Sequence, residues 1–324
     1  MRLLVLGGTQ FLGRALVADA LVRGHEVTLF NRGRTNPGLF PGVRHLRGDR
    51  EHDISALEGR SFDAVVDTSG YVPRAVRASA RALSGSALYV FVSSVSVYAD
   101  FSSGRDEDSP TAELGDDSSD VLRADYANYG ALKALCEDQA RTVFGSRALL
   151  IRPGLIVGPA DPTGRFTYWP HRIARGGDVL VPAPPDERVQ FIDVRDLAEW
   201  IVRLCERGEG GTYNATNTGI PWAELVETCR KVAGSNARFV WVPGAFLAAQ
   251  GVGQWMELPL WIDDREERGL HSTDVSRAVA AGLVFRPLDE TVAATLAGAV
   301  TTDTAGLSPA REAELLAAWE RRAA

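Results

Sequence analysis

Short apolar runs that alternate with helical patterns fill the first half of this chain. Six runs are almost continuously apolar, as is typical of strands covered on both faces: residues 2–6, 26–30, 43–46, 64–67, 88–92 and 148–151. Between these runs, helical periodicity marks residues 12–23, 74–83 and 128–142. Because strand and helix alternate, the sequence predicts an α/β fold with a doubly wound parallel sheet.

The pattern changes after Arg152, where proline, glycine, arginine and aromatic residues become frequent. The later elements are expected in the order strand, helix, strand and three helices, at residues 189–194, 197–207, 211–215, 222–233, 288–300 and 309 to about 321. We therefore expect two domains. A nucleotide-binding domain would comprise residues 1–160 with 189–216, and a smaller, mostly helical substrate domain residues 161–188 with 217–324.

The composition is that of an ordinary globular protein. The chain has 324 residues, 45% of them hydrophobic, and a net charge of −7, which disfavours a surface that neutralises nucleic-acid phosphates. Three widely spaced cysteines, Cys136, Cys205 and Cys229, fit neither a disulfide framework nor a zinc cluster. The first apolar run is shorter than a signal-peptide core, and no stretch approaches the roughly 18 apolar residues of a membrane span. A cytoplasmic protein is therefore expected.

A glycine-rich turn joins the first predicted strand to the first predicted helix. It reads GGTQFLG over residues 7–13, with Gln10 where a middle glycine is common. Glycines allow a tight turn there, and free N–H groups at the helix start face a pyrophosphate; the donor at Gln10 is the backbone N–H. The turn predicts a Rossmann-type dinucleotide site, and a tight turn without ligand is the alternative. The expected contacts are Gly7, Thr9, Gln10, Phe11, Leu12 and Gly13.

The residues after the second predicted strand indicate which dinucleotide binds. An acid there would hold the ribose of NAD, but this chain has Asn31, Arg32 and Arg34. An amide and guanidinium groups can hold a 2′-phosphate, so NADP is expected over NAD. The alternative is that the arginines are ordinary loop residues. The remaining expected cofactor contacts follow the third and fourth strands: Asp49, which could bind the adenine amino group or cap a turn, Arg50, Thr68 and Ser69.

The stretch YGALK places Tyr129 and Lys133 on the same face of a predicted helix. A nearby ammonium lowers the pKa of a tyrosine, so Tyr129 could exchange a proton with a substrate oxygen, and Lys133 could reach the nicotinamide ribose. The chain has few lysines, so a Tyr–Lys pair four residues apart would rarely arise by chance. The alternative is that both residues are ordinary surface residues of a helix. Ser94 follows the fifth predicted strand and could bind the reacting oxygen, with Ser96 as second choice.

Six stretches spread over nearly the whole chain share a family pattern: GGTQFLG, SSVSVY, YGALK, IRPGLIVGP, VQFIDVRDLA and DVSRAVAAGLVFRPLDET. Together they resemble the extended short-chain dehydrogenase/reductases, the NAD(P)-dependent epimerase/dehydratase superfamily. The resemblance implies that the catalytic trio is Ser94, Tyr129 and Lys133. It also implies contacts to the nicotinamide from Pro153, Gly154 and Leu155.

The chain departs from the usual pattern of that family at three places. Gln10 produces a G-G-T-x-F-x-G form, which is similar to chloroplast stem-loop binding proteins and their bacterial relatives. Val95 and Ser96 stand where the 4,6-dehydratase branch has an Asp-Glu pair, so dehydration of that type is not expected. Residues 189–191 read VQF in place of Arg-Asp-Phe, so the standard nucleotide-sugar contacts are not carried over.

The segment DPTGRFTYWPHR, residues 161–172, combines arginines with aromatic residues. Guanidinium groups suit a diphosphate or carboxylate and aromatic faces suit a sugar or base; packing of the aromatics onto the second domain is the equal alternative. Trp255 and Trp261 could add an apolar wall or belong to the core. No metal site is expected. The expected substrate contacts are Ser96, Tyr98, Asn128, Arg165 and Trp169.

These features favour an NADP-dependent oxidoreductase or epimerase that acts on a sugar nucleotide or a related small polar metabolite. Hydride would move between the nicotinamide and a carbon bearing a hydroxyl or carbonyl, with Tyr129 as general acid/base. The alternatives are a dehydrogenase-like RNA-binding protein and a redox regulator that binds NADP without turnover. The expected partner is a small-molecule substrate; nucleic acid and membrane are not expected, and a homodimer is left open.

Overall fold

The computed structural model describes residues 1–115, 121–298 and 305–323. Its strands are β1 (Arg2–Leu6), β2 (Glu26–Asn31), β3 (Arg44–Arg47), β4 (Ala64–Asp67), β5 (Leu88–Val92), β6 (Ala148–Pro153), β7 (Leu155–Val157), β8 (Asp178–Ala183), β9 (Arg188–Val189), β10 (Phe191–Asp193), β11 (Gly211–Ala215), β12 (Ile220–Pro221), β13 (Arg238–Pro243), β14 (Gln254–Trp255) and β15 (Leu258–Pro259). Its helices are α1 (Phe11–Val22), α2 (Pro73–Ala82), α3 (Tyr129–Phe144), α4 (Tyr168–Ala174), α5 (Val194–Arg207), α6 (Trp222–Ala233), α7 (Gly244–Ala249), α8 (Ser276–Ala280), α9 (Leu288–Ala297) and α10 (Pro309–Ala323).

Seven strands form one parallel sheet in the order β11-β6-β5-β4-β1-β2-β3. The chain leaves β1 toward β2 and later returns to its other side as β4, so the strand order reverses at β1. Open sheets of this kind bind ligands outside the carboxyl ends of the strands at such a reversal. The doubly wound sheet predicted from the sequence is confirmed, and β11 joins it as an edge strand.

Helices cover both faces of this sheet. On one face α1 packs against α5, and on the other α2 packs against α3. In β1, Leu3 and Val5 belong to the first of these cores, whereas Leu4 and Leu6 belong to the second. Because both faces of the strands are buried, their sequences are continuously apolar and do not alternate with polar residues.

Parts of the chain that follow β6, other than α5 and β11, build a separate, mostly helical region. Its hydrophobic cluster contains Trp169, Trp222 and Trp261, all of them buried. Within it, β8 and β13 form a parallel pair. The domain boundaries given above stay a prediction.

Between β6 and α5 the structure differs from the sequence-based expectation. The proline-rich segment 161–185 contains α4 and β8. The strand predicted at 189–194 is two short strands, β9 and β10, because the buried amide of Gln190 lies between them and donates to the carbonyls of Asn217 and Thr273, both at 2.9 Å. The helix predicted to reach residue 300 ends at Ala297, and residues 299 and 300 lie outside the described ranges. No helix within those ranges is long and apolar enough to cross a lipid bilayer.

Candidate active site

The glycine turn between β1 and α1 is compressed against its neighbours. Gly7 and Gly8 have φ of 107° and 91°, which favour glycine. A Cβ at Gly7 would lie 2.6 Å from the Oγ1 atom of Thr68, and a Cβ at Gly13 would lie 2.8 Å from the backbone nitrogen of Gly8. Only glycine allows this approach, so the turn forms a tight cradle at the start of α1. Such a cradle fits the pyrophosphate of a dinucleotide.

Asn31 connects this turn to the loop after β2. Its side-chain amide donates to the carbonyl of Gly7 at 2.8 Å, and its Oδ1 accepts from the backbone N–H of Gly33 at 2.9 Å. One N–H and the oxygen of the amide are therefore bonded within the protein, and the contact expected from Asn31 to a 2′-phosphate stays a prediction. Arg32 and Arg34 are exposed beside it and remain available for that role.

Arg47, at the end of β3, is a residue of this region that the sequence reasoning missed. A Cβ at Gly33 would lie 3.3 Å from its Nε, so its guanidinium packs against the loop that carries Arg32 and Arg34. The signal was its place at the carboxyl end of the strand next to β2. Three exposed guanidinium groups thus surround the end of β2.

Arg50 serves the fold and not the ligand. Its guanidinium forms two hydrogen bonds of 2.6 Å with the buried carboxylate of Asp67 and also bonds Ser69 and Ser79 at 3.1 and 3.0 Å. Burial raises the pKa of Asp67, but the charge and hydrogen bonds of Arg50 outweigh it and hold the pKa below its usual value. The expected cofactor contact from Arg50 is therefore corrected to an internal ion pair.

The other predicted contacts of the cofactor lie at the same edge of the sheet. Thr68 follows β4 and donates to the carbonyl of Leu6 at 2.9 Å, while Ser69 accepts from Arg50. Asp49 uses one carboxylate oxygen to cap a turn at the backbone N–H of Glu51, at 3.1 Å. At the end of β6, Pro153, Gly154 and Leu155 lie at this same carboxyl edge.

Ser94 and Tyr129 meet at the end of β5. Ser94 Oγ accepts from the backbone N–H of Ser96 and donates to its Oγ, both at 3.0 Å, which fixes the 3₁₀ turn at Val95–Val97. The Ser94 side chain also lies near the Tyr129 hydroxyl. Burial raises the pKa of Tyr129 to about 12, and the nearby Ser94 side chain opposes this shift. The lowered pKa expected for this phenol is thus not observed, because burial is the dominant effect.

Lys133 lies one turn along α3 from Tyr129 and is buried. Its Nζ donates to the carbonyls of Gly70 and Val92, at 2.8 and 2.6 Å, and lies 4.2 Å from the centre of the Phe91 ring. Burial lowers the pKa of Lys133 to about 8. The ammonium therefore links the loop after β4 to the end of β5, one helical turn from Tyr129.

Three predicted substrate contacts are engaged elsewhere. Tyr98 is buried and donates to Asn214 Oδ1 at 2.6 Å. Trp169 is a core residue that packs on Trp222, with ring centres 4.9 Å apart. The Asn128 amide binds the loop before α3 through the carbonyl of Val121, at 2.9 Å. Because Tyr98 and Trp169 are buried, the substrate contacts expected from them are corrected, whereas the contact expected from the half-buried Asn128 stays a prediction.

Around Tyr129 the structure instead assembles aromatic rings and one arginine. The ring of Tyr126 lies 6.3 Å from that of Tyr129, Tyr71 lies 5.7 Å from Lys133 Nζ, and the guanidinium of Arg165 lies 5.0 Å from the ring centre of Trp255. Tyr126 and Trp255 both have positive φ, at 58° and 65°, which is strained for such residues. No sequence pattern indicated a role for Tyr71. In the described part of the chain, no group of three or more metal-ligating side chains occurs.

The family model of the NAD dependent epimerase/dehydratase family matches residues 3–216. The chain belongs to this family. The resemblance to extended short-chain dehydrogenase/reductases is thereby confirmed. The match covers the glycine turn, Ser94, Tyr129 and Lys133.

Two curated relatives are similar over most of this chain. It is 27% identical over 252 residues to the chloroplast stem-loop binding protein of 41 kDa b of Arabidopsis thaliana, covering 72% of this chain and 63% of that protein. It is 26% identical over 264 residues to 2′-dehydrokanamycin reductase of Streptomyces kanamyceticus, covering 77% and 72%. The chain thus spans less than two thirds of the length of the chloroplast relative.

Solved structures share the fold at low identity. The UDP-glucuronic acid 4-epimerase of Bacillus cereus in complex with NAD superposes with a TM-score of 0.63 at 16% identity, over 91% of this chain and 97% of that one. The human epimerase family protein SDR39U1 with NADPH superposes with a TM-score of 0.62 at 22% identity, over 90% and 98%. These similarities establish the fold.

Proposed function

We propose that this protein is an NADP-dependent oxidoreductase or epimerase that transfers hydride at a hydroxyl or carbonyl carbon of a sugar nucleotide or a related small polar metabolite. The observation that carries the proposal is the close packing of the start of α3, which carries Tyr129, against the 3₁₀ turn that Ser94 caps, at the sheet edge that holds the glycine cradle. A cytoplasmic location, a homodimer and the two-domain division given above belong to the same proposal.

In this proposal a bound nicotinamide supplies or accepts the hydride. With its pKa raised to about 12, Tyr129 is protonated at neutral pH and suited to donate its proton to a carbonyl oxygen that gains negative charge during reduction. Ser94 orients that oxygen by a hydrogen bond. Lys133 holds the backbone around the site through the carbonyls of Gly70 and Val92.

The preference for NADP is supported by charge. Arg32 and Arg34 follow β2, Arg47 packs against their loop, and all three are exposed. Guanidinium groups suit a 2′-phosphate, and the relevant loop contains no acid that would repel it.

The experiment combines cofactor binding with turnover. Purified protein is titrated with NADPH and NADH, and NADPH oxidation is then followed with a panel of sugar nucleotides and 2-oxo acids. Tyr129→Phe should abolish turnover and leave NADPH binding intact, whereas Tyr126→Phe, a neighbouring exposed phenol, should retain turnover. Equal affinity for both cofactors would contradict the NADP preference, and undiminished turnover in Tyr129→Phe would contradict the proton-transfer role.

A second candidate is an RNA-binding protein, favoured by the similarity to the chloroplast stem-loop binding protein. The net charge of −7 is unfavourable for binding phosphates. An electrophoretic shift of structured RNA at physiological salt that survives Tyr129→Phe would favour this candidate. No shift is expected.

A further inference from the structure

One arginine near the candidate active site carries a charge that the described residues leave without a close acceptor. Arg165 precedes α4 and is half-buried, and its Nε is buried without a hydrogen-bond partner among the described residues. Its neighbour Arg172 is different, because it is paired with the Glu312 carboxylate at 2.5 Å. Two arginines of one short segment are thus used in opposite ways: Arg172 stabilises the fold, and Arg165 is kept free.

The carboxylate nearest in sequence does not neutralise Arg165 by direct contact. Asp161 interacts with it favourably through space, but the Asp161 Oδ1 atom accepts from the backbone N–H and the hydroxyl of Thr163, both at 2.8 Å. Burial lowers the pKa of Arg165, which shows that its charged form is poorly solvated. A cation in such surroundings gains strongly from an anionic ligand that accepts its hydrogen bonds.

Trp255 holds the guanidinium in place. The Cζ atom of the Arg165 guanidinium lies 5.0 Å from the centre of the Trp255 ring. Trp255 has φ of 65° and is fixed there by a hydrogen bond from its N–H to the carbonyl of Trp261, at 3.2 Å. A bulky residue keeps this conformation only where surrounding structure imposes it, and such strain concentrates at ligand sites. The stacked pair is therefore preorganised.

Arg165 also acts on the phenol of the candidate catalytic residue. Burial and the neighbouring Tyr71 raise the pKa of Tyr129, and the charge of Arg165 lowers it. The guanidinium therefore lies within electrostatic range of the Tyr129 hydroxyl. The exposed rings of Tyr71 and Tyr126 lie beside the same site, at 5.7 Å from Lys133 Nζ and 6.3 Å from the Tyr129 ring.

We propose that the substrate carries an anionic group, a carboxylate or a phosphate, that pairs with Arg165 on its Trp255 platform while the reacting carbon lies at Tyr129. This inference rests on the proposed function and names its substrate class. The anion site is formed by the segment before α4 and by β14. It borders the VQF segment where the standard nucleotide-sugar contacts are lost, since Phe166 packs on Phe191 with ring centres 4.9 Å apart.

The test measures anion binding directly. Protein saturated with NADP⁺ is titrated calorimetrically with oxalate, with its neutral analogue oxamide, and with inorganic phosphate. Arg165→Ala is compared with Arg165→Lys and with Arg175→Ala, which removes an exposed arginine ten residues on in the same segment. Oxalate or phosphate should bind the wild type at least about tenfold more tightly than Arg165→Ala, with partial rescue by lysine and no effect of Arg175→Ala. Oxamide should not bind.

A second readout needs no variant. Phenylglyoxal modifies accessible arginines, and peptide mass mapping reports Arg165 and Arg175 separately. The bound anion should protect Arg165 and leave the reactivity of Arg175 unchanged. Stronger binding of oxalate than of phosphate would identify a carboxylate substrate, and the reverse a phosphate.

Equal anion binding by wild type and Arg165→Ala, or no protection of Arg165, would overturn this inference and leave the oxidoreductase proposal standing. Failure to bind NADPH would instead contradict the proposed function, and the anion titration can then be repeated on the protein alone. The two failures are therefore distinguishable.

Discussion

Gly130 lies so close to the carbonyl oxygen of Ser96 that a Cβ at position 130 would overlap it. This contact joins the start of α3 to the 3₁₀ turn that Ser94 caps. Tyr129 is the residue before Gly130, so the close approach is what brings its hydroxyl to Ser94. The position of Tyr129 relative to Ser94 therefore depends on the absence of a Cβ at Gly130.

Gly130→Ala should therefore disable the site. In an unconstrained helix this change stabilises by up to about 1 kcal/mol, but here overlap with backbone should destabilise by about 1–3 kcal/mol. Turnover should fall more than NADPH binding, since Tyr129 is displaced from Ser94. Urea unfolding and steady-state kinetics measure both effects, and Gly38→Ala, at a position with open space around it, is the control. A more stable, fully active Gly130→Ala protein would refute this assignment.

The buried ammonium of Lys133 should make stability depend on pH in the alkaline range. Burial lowers the pKa of Lys133 to about 8 from an ordinary 10.5, so the unfolded chain holds this proton more tightly. Lys133 therefore favours folding above pH 10.5, and this contribution is lost as the pH falls through about 8, a change of roughly 3 kcal/mol. The free energy of unfolding of wild type minus that of Lys133→Met should rise between these two pH values. A difference independent of pH would contradict the lowered pKa.

Arg50 and Asp67 form a buried ion pair in which each charge is stabilised by the other. Removing one charge leaves the other buried without a partner, so Arg50→Met should destabilise by about 3–5 kcal/mol. The double variant Arg50→Met/Asp67→Leu should be less destabilised than Arg50→Met alone. Thermal unfolding of the single and double variants measures the coupling. Breaking the exposed pair of Arg230 and Glu227 by Arg230→Ala should cost no more than about 1 kcal/mol.

Arg47 should contribute to the choice of cofactor. Its guanidinium packs against the loop of Arg32 and Arg34, within reach of a 2′-phosphate bound there. Arg47→Ala should weaken NADPH binding by about tenfold and leave NADH binding nearly unchanged, because only NADPH carries the phosphate. Fluorescence titration with both cofactors measures this. Arg44→Ala, at the opposite end of β3, should change neither affinity; equal losses for both cofactors in Arg47→Ala would speak against a phosphate contact.

The central sheet could be predicted because the sequence patterns that specify its strands are local. Continuous apolar runs mark strands that are buried on both faces, and β1, β4, β5 and β11 have the bounds that the sequence predicts. The glycine turn and the Tyr129–Lys133 spacing are also local patterns. Each depends on residues within one turn or one helix, so their meaning does not require knowledge of distant neighbours.

Side-chain roles were harder to predict because partners distant in sequence determine them. Arg50 could not be recognised as an internal cation until Asp67 was placed beside it. Trp169 could serve a ligand or a core, and only its packing on Trp222 decided for the core. The pKa of Tyr129 followed burial, which depends on every element around the cleft and not on the lysine four residues away.

The sequence by itself thus determined the doubly wound sheet, the glycine cradle and the segment that carries Ser94, Tyr129 and Lys133, because hydrophobic periodicity and turn chemistry are short-range. Only the tertiary structure decided which polar side chains are free for a ligand. A charged group is available only when no buried partner claims it, and that depends on which residues folding brings together. Arg165 stacked on Trp255 is available by this criterion, and Arg50 is not.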